Sequence, residues 1–446
     1  MELSVEEHVR RFLVAHRADQ FAFLSALTKV RSENPPGDCA AIREKVRELL
    51  ERDDLTLEVH DLPDELTAAA GCGEMANLVV RREFGEGPTI ALSAHLDTAP
   101  AGARWTRDPF DASIEGGRMY GRGVSDGKGD LAAYFFALLA LMEIEERITG
   151  TIELHITFDG LSGGELGVKC LLDGPVSPPD WAIVPGNAHA VGTSSTGVLN
   201  LQVEITGQAA PAGQPQSGAD ALEGAAHVLH DLYGLRDALR ERTSEVPGIG
   251  SPTMVVTEIA GGTNPLSVPE SVSLLIDRRV LPEEDPDAAE AEITNTVGRA
   301  VVRVPGVVCK VRRRRLLPAA TLADGAGGFV EVLKRHAENI LGEDVPEYGV
   351  SYETAARHYA AAGVPMVLYG AGPSLADSPN TAGPDEYLVL DDLRVCTEVI
   401  TLALADWLQA PEIQEPEEPD AQQPERPEAQ QPEETEPQEP EEVSSP

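Results

Sequence analysis

The chain has 446 residues, of which 42% are hydrophobic and 41 are glycine, enough for a sizeable α/β core in more than one domain. Its formal charge is −40, and thirteen acidic residues against one arginine between 411 and 446 leave about −28 on the rest, which argues against nucleic acid or anionic membrane as a partner. No apolar run reaches the roughly eighteen residues of a membrane span. The five cysteines (Cys39, Cys72, Cys170, Cys309, Cys396) are scattered without a CxxC pair, so a cytoplasmic protein with free thiols is expected.

In chain order, residues 7–30 carry apolar positions at helical spacing and read as one helix, and 39–53 as a second that ends in acidic residues. TIALSAHLD (89–97) reads as a buried strand with a polar end, 130–147 as a long apolar helix, and TIELHITFD (151–159) and WAIVPG (181–186) as further strands. This alternation predicts an α/β fold with a mostly parallel sheet covered on both faces, in which sites form beyond the carboxyl ends of strands. The middle of the chain reads strand, helix, strand, strand, helix, strand, which is the ferredoxin-like order. The expected organisation is therefore a discontinuous domain (1–197 and 311–410), an inserted lid or dimerisation domain (198–310), and an acidic Pro/Glu/Gln tail (411–446) too poor in apolar residues to order itself.

The stretch SAHLDTAPAGARWTRDPFDASIEGGRMYGRGVSDGKGDLAA (93–133) resembles the signature of the dinuclear-zinc family that contains acetylornithine deacetylase, succinyl-diaminopimelate desuccinylase, aminoacylase and carboxypeptidase G. Similarity continues in VRSENPPGD, in GG…SVPE at Gly261–Glu270, in Asp277-x-Arg279 and in GVPMVLYGAG…PDEY. The resemblance implies a zinc-exopeptidase-like domain with a ferredoxin-like lid that pairs with its twin in a homodimer. By the same resemblance His95 is a metal ligand, Asp97 the carboxylate that orients it, Asp126 the ligand that bridges two metals, and Arg279 a group for a substrate carboxylate. In such a family two zinc ions about 3.5–4 Å apart lower the pKa of a shared water, and a glutamate beside it moves its proton.

Five further family positions are substituted in this sequence. The paired glutamates, one the general base and one a ligand, are matched by Gly160 and Leu161 in FDGLSGGELG; an acidic ligand is matched by Gly186, a ligand histidine by Ala382, and the lid histidine by Pro211. Two remaining ligands are too few for a dinuclear centre, so the expectation is no cofactor, with a weakly held zinc or other divalent metal as the alternative. His95, Asp97 and Asp126 then persist as a hydrogen-bonded polar cluster. Glu165, His189 and Asp377 are the residues from which a rebuilt site would draw, and Arg279 has a plain alternative as the salt-bridge partner of Asp277. The functions left open are binding of an amino-acid- or peptide-like ligand without hydrolysis, alone or beside an active relative or pathway enzyme; a hydrolase with a rebuilt site; and an enzyme recruited to a biosynthetic step.

Overall fold

The computed structural model describes residues 3–409 apart from 36, 70–72, 175, 324–325, 353 and 373–380. Cys72, Asp377 and the acidic segment 411–446 lie outside the described residues. Sixteen strands are seen among them. Those before the lid are β1 (Thr56–Asp61), β2 (Ala76–Glu83), β3 (Thr89–His95), β4 (Ser113–Glu115), β5 (Arg118–Tyr120), β6 (Thr151–Thr157), β7 (Trp181–Val184) and β8 (Val191–Ser195). The lid contributes β9 (Gly197–Thr206), β10 (Met254–Gly261), β11 (Ser271–Val280) and β12 (Val308–Leu317). The chain returns with β13 (Ala320–Thr321), β14 (Glu347–Val350), β15 (Met366–Leu368) and β16 (Tyr387–Val389).

The central sheet runs β1-β2-β6-β3-β7-β15-β8-β13, with β14 alongside β8. Its centre is parallel, β6 to β3 to β7 to β15, and its flanks are mixed: β2 enters antiparallel to β6, and β8 is antiparallel to β15 but parallel to β14. The period-2 alternation of β3 explains how both faces are filled. Ile90, Leu92 and Ala94 join the large core under the helices Lys128–Met142 and Leu390–Trp407, whereas Ala91 joins a smaller core with Ala356 and Tyr359 of the helix Ala356–Ala361. Ser93 and His95 share the parity of Ala91, which turns them away from the large core.

The lid sheet runs β10-β11-β9-β12 and carries the helices Ala221–Leu239 and Pro286–Val301 over a core of its own. With β9 and β11 central and β10 and β12 at the edges, this is the ferredoxin-like arrangement that the strand-helix order predicts. One expectation is corrected at the N-terminus. Residues 7–30 belong to two helices, Val5–Ala15 and Arg17–Thr28, because His16 leaves helical geometry at φ −102° and ψ 11° while its amide still closes the first helix on Phe12. Helical periodicity survives such a single-residue break, so the pattern alone does not reveal it.

Candidate functional site

The site lies where the parallel strands β3 and β6 end, with His95 paired in register to Thr157. Asp126 arrives opposite His95 on the turn before the helix Lys128–Met142. That turn passes so close to β3 that a Cβ on Gly127, which has φ +80°, would fall 2.0 Å from the carbonyl oxygen of His95, so only glycine fits there. The carboxylate of Asp130 accepts the Gly127 amide at 2.9 Å and the Ala371 amide at 2.8 Å, tying the helix start to the strand β15 side. Glu386 organises the loop upstream of Asp126: it accepts the amides of Gly123 and Ser125, the Ser125 hydroxyl, and the Arg122 guanidinium at 2.8 Å, with both charged side chains fully buried.

His95 stands between two carboxylates. Its Nδ1 is 3.2 Å from Asp97 and its Nε2 is 3.2 Å from Asp126. Burial works against a charged imidazole, but Asp126 and then Asp97 outweigh it and hold His95 well above the usual histidine range. Asp97 also accepts the amides of Gly160 (2.8 Å) and Leu161 (3.0 Å) and the side-chain amide of Asn34 (3.0 Å). Burial pushes Asp97 up, and these donors with His95 bring it below its ordinary value. Asp130 behaves in the opposite way: burial first, and then the charge of Asp126, push it up to about 7.

The structure brings His95, Asp97 and Asp126 together and shows what has become of the substituted positions. At Gly160 a Cβ would fall 2.3 Å from Cγ of the His95 ring, and at Gly186 it would fall 2.5 Å from the backbone carbon of Leu368. Neither position has room for a carboxylate side chain in this backbone. Leu161 lies at the cavity with 41% exposure, Ala382 is exposed with φ +59°, and Pro211 is exposed in a bridge to Ser267. Of the residues from which a rebuilt site would draw, Glu165 and His189 are described, and each faces a partner outside the His95–Asp126 cluster. Glu165 lies 4.0 Å from Arg357, and His189 bridges Glu343 (2.9 Å) and Asp392 (3.1 Å). Arg279 is bound to Asp277 at 2.9 Å, and Asp277 also holds Asn200, so the salt-bridge alternative describes its contacts.

A cavity of about 580 Å³ opens over His95 and Asp126. Its walls include Ser93, Asp130, Asn187, Tyr348, Val350 and Tyr352, and neither Arg279, Glu165 nor His189 is among them. Sequence reasoning missed these wall residues. Ser93 could have been found, since it lies two residues before His95 on the same strand face, and so could Asp130, which follows Asp126 by one helical turn. Tyr348 and Tyr352 come from a short strand and turn more than two hundred residues away, with no local signal.

Comparison with known proteins places this geometry. The sequence model of Peptidase family M20/M25/M40 matches residues 91–406. The chain is 25% identical to an uncharacterized metallohydrolase of Methanocaldococcus jannaschii over 73% of its length and 83% of the relative's. It is 28% identical to a succinyl-diaminopimelate desuccinylase of Rhodospirillum centenum, over 84% and 94%. A solved structure described as a dinuclear metal binding peptidase of Bacillus subtilis superposes with a TM-score of 0.63 at 14% identity, covering 89% of this chain and 99% of that one.

These findings correct the expectation of no cofactor. The matched family includes a structure described as a dinuclear metal binding peptidase, which is at odds with expecting no metal. Its residues do not fit two ions: beyond His95 and Asp126 the positions at which the resemblance implies ligands hold Leu161, Gly186 and Ala382, and Gly186 has no space for a longer side chain. The His95–Asp126 separation of 3.2 Å is close to the roughly 3.3 Å expected between two ligands of one tetrahedral ion with bonds near 2.0–2.1 Å. The half-site thus suits a single divalent ion or a direct ion pair. Among the described residues no helix is long and apolar enough to cross a membrane.

Proposed function

We propose, for a chain that belongs to Peptidase family M20/M25/M40, that the cleft over His95 and Asp126 binds an amino-acid- or peptide-like molecule and does not hydrolyse it by the family's two-metal route. The single observation that carries this reading is the position of the His95 ring against Gly160, which fills the space where the proton-transferring glutamate would stand. Absence of such a base lowers a rate by about 10²–10⁴. With fewer than two ions held at His95 and Asp126, part of the Lewis-acid stabilisation that a two-metal centre supplies would also be missing.

What the residues of this chain do is hold and position. Asp97, fixed by the amides of Gly160 and Leu161, orients His95 through Nδ1, and His95 in turn pairs through Nε2 with Asp126 on the cavity wall. Thr157, Leu161 and Asn187 complete walls of mixed polarity around a volume suited to a small ligand. The experiment is hydrolysis of N-acetyl and N-succinyl amino acids by the zinc-reconstituted protein, followed by amine release. Turnover abolished by His95→Ala would overturn the reading.

A further inference from the structure

The charge on the cavity wall says more about the ligand than its family does. Among the described residues that line the cavity, the charged side chains are His95, Asp126 and Asp130, and there is no lysine or arginine. His95, which carries at most one positive charge, faces two carboxylates, Asp97 and Asp126, so this end of the cavity is net negative before Asp130 is counted. The cations nearby in sequence or space are engaged elsewhere. Arg122 is buried on Glu386, Lys128 donates to the Val30 carbonyl at 3.0 Å, Arg279 is held by Asp277, and Arg315 reaches the Ser162 carbonyl at 3.2 Å from β12. A ligand carboxylate entering here would leave water without meeting a counter-ion. An ammonium would meet Asp126, whose side chain is 37% exposed to the cavity and pairs with His95 through one oxygen. The lining also has an apolar and aromatic part, with Tyr348 and Val350 buried and Tyr352 half open at 54%.

On the reading that this cleft is a ligand site, we propose that it selects an organic amine, its ammonium on the Asp126 carboxylate and its apolar body against Tyr348, Val350 and Tyr352, over a carboxylate ligand with the same body. The preference is electrostatic at the head and hydrophobic along the body, and the strongly acidic chain adds a long-range attraction for cations. It departs from the carboxylate recognition expected of Arg279.

The test is calorimetric titration of the full chain in EDTA with tyramine, 3-(4-hydroxyphenyl)propionate and N-acetyltyrosinamide, three ligands with one phenol body and a positive, a negative and a neutral head. Tyramine should bind at least about tenfold more tightly than the propionate. That ratio should collapse in Asp126→Asn and shrink in the unmodified protein as salt rises from about 0.02 to 0.5 M, a check that needs no substitution. Equal or tighter binding of the propionate, or a ratio indifferent to both Asp126→Asn and salt, overturns the amine preference while leaving the cleft a binding site. Binding of N-acetyltyrosinamide alone does the same. If none of the three binds, the amine proposal and the binding reading fall together.

Discussion

The His95 ring occupies the space that a side chain at position 160 would need, with its Cγ 2.3 Å from where a Cβ on Gly160 would sit. Restoring the family's residue is therefore a steric problem before it is a catalytic one. Gly160→Ala alone should destabilise the fold by about 1–3 kcal/mol in urea unfolding, since the ring is pinned on both nitrogens by Asp97 and Asp126 and cannot swing aside freely. A neutral Gly160→Ala would show that the loop 160–164 yields easily.

The same geometry bears on wholesale repair. A variant with glutamate at Gly160, Leu161 and Gly186 and histidine at Ala382 should lose stability without gaining two-metal turnover, because the new side chain at Gly186 would press on the backbone of Leu368 and Tyr369. Cleavage of N-acyl amino acids by that variant within about a thousandfold of a typical kcat near 10 s⁻¹ would show that the backbone relaxes around it.

How much of this was legible in the sequence depends on distance along the chain. His95, Asp97 and Asp126 lie within one contiguous stretch, residues 93–133, whose resemblance to a family signature singles them out together. The ferredoxin-like lid was legible for a similar reason, because four switches between period 2 and period 3.6 across six elements define it. The closure of Gly160 on His95 was not, since a missing side chain gives no sign of what fills its place. Nor was the engagement of His189 by Glu343 and Asp392, which joins three separate segments.

Asp130 makes stability depend on pH in a defined direction. Its folded pKa of about 7 stands above the ordinary 3.8, so between those values the folded chain holds a proton that the unfolded chain has lost. Its contribution is intact below pH 4 and is lost as pH rises through 7, a change on the order of 4 kcal/mol. Measured as a difference from Asp130→Asn, which cannot titrate, wild-type stability should fall between pH 4 and pH 8. A flat difference would mean that Asp130 is ionised throughout.

The buried pair of Arg122 and Glu386 holds the loop that presents Asp126. Arg122→Met leaves the Glu386 charge without its guanidinium in a dry environment and should cost about 3–5 kcal/mol. Chemical denaturation reads this directly. A loss below about 1 kcal/mol would show that the amides of Gly123 and Ser125 suffice.

Pairing of the lid with a second copy is our proposal for the assembly of this chain. The edge strand β10 exposes Val255 (52%) and Ile259 (55%) beside unpaired backbone groups, a surface suited to strand pairing. Light scattering at micromolar concentration should give a dimer, and Val255→Lys with Ile259→Lys should give a monomer. A dimer that survives both substitutions would move the interface elsewhere on the lid.

The central claim, a cleft of this family without a two-metal centre, is tested most directly by counting metal. After reconstitution with excess zinc and removal of unbound ion, elemental analysis should give no more than one equivalent per chain, lost in His95→Ala and Asp126→Ala. Two equivalents per chain, bound tightly enough to survive gel filtration, would contradict the account.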